Sequence, residues 1–154
     1  MNKKLQLIIL VFTLSLTATA QPRVFNNSNI EIPFSKILEV LTEELGLDTV
    51  TMNIYISSGN LNFNLDGKIT TLSIDSYSIN IQAELFKAEQ IKVFIHECIH
   101  LSQIAHGHLV IRSSFVWFDG KIISPNSTYE ERPYEVEAIE RTEALFNKYN
   151  KSLR

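Results

Sequence analysis

The chain has 154 residues, 45% of them hydrophobic and 20% charged, with a net charge of −3 at pH 7. That length supports a hydrophobic core, and the acidic balance excludes the basic footprint needed to bind nucleic acid or an anionic membrane surface. Cys98 is the only cysteine, which excludes an internal disulfide and leaves rigidity to the core or to a metal site.

The chain opens with Lys3 and Lys4, an apolar run from Leu5 to Leu16, and the small-residue stretch Ala18-Thr19-Ala20. This order predicts a secretory signal peptide over residues 1–20, cleaved after Ala20; the apolar run falls short of the roughly 20 residues a membrane span needs. Its removal takes away two lysines and no acidic residue, so the charge falls to about −5. The expectation is a secreted or periplasmic domain over residues 21–154, with no stable membrane association once the signal is gone.

After the short polar lead QPRVFNNSN, the stretch IPFSKILEVLTEELG places Ile37, Leu38, Leu41 and Leu45 at helical spacing and stops at Gly46. TVTMNIYI alternates Val50, Met52, Ile54 and Ile56 against polar neighbours, the period of a half-buried strand. LNFNLDGKITTLSI centres on Asp66-Gly67, the dipeptide of a type I′ hairpin turn, and so predicts two antiparallel strands. DSYSINIQ adds a third alternating segment through Tyr77, Ile79 and Ile81. From about Ala83 to His106 the period becomes helical, ending at Gly107. SFVWFDGKIIS predicts a second hairpin at Asp119-Gly120, and Pro133 is well placed to start a last helix. Helices and antiparallel strands are grouped and do not alternate strictly, so the predicted class is α+β.

The long middle helix carries FIHECIHL, with His96, Glu97 and His100 in H-E-x-x-H spacing. Helical positions four apart differ by about 40° around the axis and 6 Å along it, so both imidazoles reach one ion. Glu97 stands about 100° from His96, beside the ion and within reach of its water, where a general base belongs.

A catalytic zinc site takes three protein ligands and leaves one position open. His106 and His108 are the nearest candidates in sequence, but they flank the helix-ending Gly107, and His106 points about 240° away from His100. On the last helix, Glu135 and Glu137 lie about 200° apart, so one of them faces inward. Glu135 shares a stripe with Ala138, Ile139, Thr142, Phe146 and Tyr149, whereas Glu137 shares the polar side with Glu140, Arg141 and Lys148. A carboxylate on a core-facing stripe needs a partner or a metal, which makes Glu135 the better ligand, the alternative being a first-turn glutamate favoured by the helix dipole just after Pro133.

With these residues placed, the chain resembles the gluzincin group of zinc metallopeptidases, whose H-E-x-x-H helix is followed by a helix opening E-x-x-A, here Glu135-Val136-Glu137-Ala138. The resemblance implies Zn2+ held by His96, His100 and Glu135, Glu97 as catalytic base, and a peptide or protein substrate. It also implies a zincin-like architecture: a backing helix, a small mostly antiparallel sheet, the active-site helix, a hairpin and the glutamate helix.

For such chemistry a second oxyanion donor is open among Tyr129, Tyr134 and His108, and a strand within residues 69–81 is expected to hold an extended peptide. Gln103 falls on the metal face and Cys98 on the core side, while Trp117 and Phe118 read as packing residues. Asn126-Ser127-Thr128 fits a glycosylation pattern and so an exposed loop. The alternative is a noncatalytic zinc-binding or protein-interaction module, against which Glu97 argues, since a structural zinc needs no base.

Overall fold

The computed structural model describes residues 21–61, 65–112 and 115–154; the expected signal peptide lies outside them. In chain order the elements are β1 (Arg23–Asn26), α1 (Phe34–Leu41), β2 (Asn53–Gly59), β3 (Gly67–Ser73), β4 (Ser76–Gln82), α2 (Lys87–Ala105), β5 (Leu109–Arg112), β6 (Phe115–Phe118), β7 (Lys121–Ile123), a 3₁₀ turn (Tyr129–Glu131) and α3 (Pro133–Ser152). The class is α+β. No helix among the described residues is long and apolar enough to cross a membrane.

Burial of alternate residues decides the main sheet. Its order is β1-β2-β4-β3, and β2 and β4 bury every second side chain, Ile54 and Ile56 on one, Tyr77, Ile79 and Ile81 on the other. These two fully patterned strands take the centre. β3, with only Ile69 packed against the core, goes to the edge. The apolar face of the sheet meets Phe34, Ile37, Leu38 and Leu41 of α1 and Ile91, Phe94, Ile95 and Cys98 of α2 in one cluster, with the Phe34 and Phe94 rings 4.8 Å apart.

This sheet corrects the expectation of a mostly antiparallel one. β1 runs parallel to β2 and β2 parallel to β4; only β3 and β4 are antiparallel. The polar lead, for which no strand was expected, supplies β1, where Phe25 stacks on Tyr55 at 5.1 Å. The Asp66-Gly67 turn is not made either. A type I′ turn needs positive φ at both central residues, and neither Asp66 nor Gly67 has it; Gly67 is already the first residue of β3. The chain reverses instead between Ser73 and Ser76, whose hydroxyls both donate to the Asp75 carboxylate while the Asp75 carbonyl accepts from the Asn53 amide.

α2 begins at Lys87 rather than Ala83, because Phe86 is extended and its amide donates to the Glu89 carboxylate. Its end is as expected, at Gly107 with φ +74. The Asp119-Gly120 hairpin also forms, with φ +49 and +75 as type I′ demands, and β5 extends it to a three-stranded meander.

Ile79 is fully buried and aligned with both Ile56 and Ile69. Ile79→Ala is expected to lower the unfolding free energy by about 2–5 kcal/mol in urea titration; a loss below about 1 kcal/mol would mean this strand is not the centre of the core.

Candidate metal centre

α2 buries Ile95, Cys98 and Ile99 against the sheet, and this seating turns His96 and His100 toward α3. Their rings stand edge to face with centroids 4.7 Å apart. α3 starts at Pro133, and the Arg132 carbonyl accepts the Glu135 and Val136 amides, so Glu135 sits in the first helical turn. From there its carboxylate reaches back to α2.

Three side-chain atoms form a nearly equilateral triangle. His96 Nε2 to Glu135 Oε2 is 3.2 Å, His100 Nε2 to Glu135 Oε2 is 3.2 Å, and His96 Nε2 to His100 Nε2 is 3.1 Å. Two imidazole nitrogens facing each other this closely, with a carboxylate oxygen equidistant from both, cannot be satisfied by protons along all three edges. Atoms that converge in this way suit a common cation. Among the described residues, this is the one group of three or more His, Cys, Asp or Glu side chains with such convergence.

Electrostatics follow from the crowding. Burial alone would raise the Glu135 carboxyl, but hydrogen bonds with His100, His96 and Tyr129 outweigh it and hold the group far below the ordinary carboxylate range. Burial likewise would lower the His100 imidazole, and its contacts with Glu135 and Gln103 reverse that direction. Glu97 behaves oppositely to Glu135. Only 5% exposed, it is pushed up by desolvation, against the pull of His100 and His96.

Glu97 lies beside the triangle and against β3. A Cβ on Gly67 would fall 2.8 Å from Glu97 Oε1 and 2.4 Å from Val93 Cγ1, so the edge strand approaches α2 this closely only with glycine there. Sequence reasoning assigned Gly67 to a turn and missed this role, although a glycine opening an alternating segment is itself a sign of close backbone approach. Between β3, α2 and α3 opens a cleft of about 460 Å³, walled by Gly67, Ile69, Val93, Ile139 and Thr142 and floored by the triangle and Glu97. Ile139, placed on the inward stripe by periodicity, is in fact half exposed because it faces this cleft rather than the core.

Of the three donors left open, Tyr129 is the one at the centre: its hydroxyl lies 3.3 Å from His96 Nε2, and the residue lines the cleft. Burial and the Glu135 carboxylate push its phenol well above the ordinary range, so it stays protonated. Tyr134 is buried with its ring packed edge-on against His100, and His108 is exposed and paired with Asp119. His106 turns away to the Ser102 carbonyl at 2.7 Å. Neither histidine joins the triangle. Gln103 touches His100 at 2.8 Å, and Cys98 is buried in the core, where desolvation drives its thiol pKa far up. Glu137, expected on the solvated side, is half-buried and bonded to Gln103 and Arg141.

Compared with protein-family models, with curated proteins and with solved structures, the chain shows no match.

Two measurements test this geometry. Gly67→Ala is expected to cost about 1–3 kcal/mol of stability, since the methyl group must displace β3 from Val93; a neutral substitution would place β3 farther from α2. The second concerns Glu97, whose folded pKa is raised. Its ionisation therefore opposes folding, a penalty absent below the unfolded pKa and complete once pH has risen through the folded one. Glu97→Gln should raise the melting temperature of the metal-free protein at pH 7 to 8, and the gain should shrink as pH falls toward 4. A gain that persists at pH 4 would overturn the assignment.

Proposed function

We propose that the chain is an exported zinc-dependent metallopeptidase with a zincin-like arrangement, hydrolysing peptide bonds in a peptide or protein substrate. The observation that carries the reading is the triangle of two imidazole nitrogens and one carboxylate oxygen with edges of 3.1 to 3.2 Å. Tetrahedral ligands at zinc distances stand about 3.3 Å apart, and two histidines with a glutamate are a donor set of catalytic zinc, which keeps one position open. Calcium and magnesium favour oxygen ligands and more of them.

Bound zinc would supply a Lewis acid that acidifies water and polarises a carbonyl. The rest of the chemistry falls to side chains of this chain. Glu97, its basicity raised by burial, accepts the proton of the attacking water and returns it to the departing amide nitrogen. Tyr129, held protonated, donates its hydroxyl to the oxyanion that develops on the substrate carbonyl. β3, at the edge of the sheet and in the wall of the cleft, offers main-chain groups to an extended peptide. Val93, Ile139 and Thr142 offer an apolar wall to one of its side chains. The basic, apolar, then small-residue pattern of residues 1–20 supports export.

Elemental analysis should find one zinc per chain, and a mixed peptide library should be cut in a chelator-sensitive way. Glu97→Gln should retain the zinc and lose activity by about 10²- to 10⁴-fold. Glu135→Gln should weaken zinc binding far more than Glu137→Gln. A protein free of zinc and indifferent to chelator would remove the metal reading. Stoichiometric zinc without peptide release would leave the noncatalytic module instead.

A further inference from the structure

Glu137 is two residues from a proposed ligand, yet its carboxylate is occupied away from the ion. Oε2 accepts from Gln103 Nε2 at 3.1 Å and Oε1 from Arg141 Nη1 at 2.7 Å; Arg141 Nη2 in turn donates to the Glu44 carbonyl at 3.1 Å, in the turn after α1. Gln103 is almost fully buried, and its Nε2 also donates to the Tyr134 carbonyl at 3.1 Å. Both N–H groups of the amide are thus committed to acceptors.

That commitment has a chemical result. With its NH2 group facing the Glu137 carboxylate and the Tyr134 carbonyl, the amide can present only Oε1 to His100 Nδ1, 2.8 Å away. A carbonyl oxygen accepts and does not donate, so Nδ1 must carry the hydrogen. Neutral His100 then has its lone pair on Nε2, the atom at the corner of the triangle. A flipped amide would turn its NH2 toward Nδ1, favour the other tautomer and leave a hydrogen where a ligand lone pair is needed.

We propose that Gln103 and Glu137 form a positioning pair that fixes the tautomer and orientation of His100, Glu137 locking the amide of Gln103 and Gln103 locking the imidazole. The pair is anchored through Arg141 to the main chain after α1, which ties the ligand to the helix behind it. The two neighbouring glutamates of α3 therefore divide the work: Glu135 faces the ion, and Glu137 sets the helix-α2 ligand through Gln103. The inference rests on the zinc reading, and partners of this kind typically change metal affinity 10- to 100-fold.

The test measures zinc affinity of the full chain by competition with a chromophoric chelator, cobalt(II) visible spectra, and melting of the metal-free forms. Gln103→Leu should bind zinc about 10- to 100-fold more weakly and give an altered cobalt spectrum. Gln103→Glu should also bind weakly, because its carboxylate faces that of Glu137. Adding Glu137→Gln restores a donor opposite an acceptor, and the double variant should regain at least tenfold in affinity over Gln103→Glu. A purely structural role would instead lower the metal-free melting temperature without this rescue. If wild type binds zinc and Gln103→Leu binds it equally well, or if the double variant binds no better than Gln103→Glu, the positioning pair is overturned while the zinc reading stands. If Gln103→Leu does not fold, the two charge-swapped variants decide alone. A wild type that binds no zinc overturns the metal reading and this inference with it.

Discussion

The structure depends on one seam, where the first turn of α3 brings a carboxylate against two imidazoles on the middle of α2. Three polar groups within 3.2 Å of one another, two of them nearly buried, oppose folding unless protons or a cation hold them together. The surrounding elements make that arrangement sustainable. Ile95, Cys98 and Ile99 fasten α2 to the sheet on the opposite side, and Ala138, Leu145 and Tyr149 fasten α3. Polar groups occupy the face between two anchored helices, so the crowding cannot be relieved by sliding one helix away without exposing core.

The same seam gives two carboxylates opposite characters. Glu135 is held ionised by its contacts with His100, His96 and Tyr129, while Glu97, one residue from His96, is pushed toward neutrality by desolvation, which outweighs the pull of the two imidazoles and a backbone hydrogen bond from Ile69. The roles proposed for the two, ligand and base, require this divergence, since the first must stay charged and the second must gain and release a proton near neutral pH. Environment separates them, and Gly67 belongs to that environment, because its missing methyl group lets an edge strand close over Glu97.

Much of this was legible before any coordinates. The spacing of His96 and His100 and the stripe through Glu135 are local periodicities, and helices convert local periodicity into direction with little interference from the rest of the fold. Strand pairing is not local. Alternation in TVTMNIYI and DSYSINIQ marked the buried faces of β2 and β4 correctly, but nothing in either segment states that they lie side by side and parallel, with β3 carried to the far edge. Asp66-Gly67 misled because Gly67 already belongs to β3, and the reversal comes at Asp75, whose carboxylate accepts from Ser73 and Ser76. Glu137 misled in another way: its helical face is polar, but polarity facing a buried amide is not the same as polarity facing water.

The meander of β5, β6 and β7 lies between the second histidine and the glutamate, packed mainly on itself and on the end of α2. His100 and Glu135 are 35 positions apart in the chain, so the entropy lost in bringing them together is already that of a long loop. Closure cost grows only with the logarithm of length, about 0.6 kcal/mol for each doubling. The strand tips between His100 and Glu135 are therefore the region where the chain can be lengthened, or a foreign sequence spliced in, with the two halves of the cluster still finding each other.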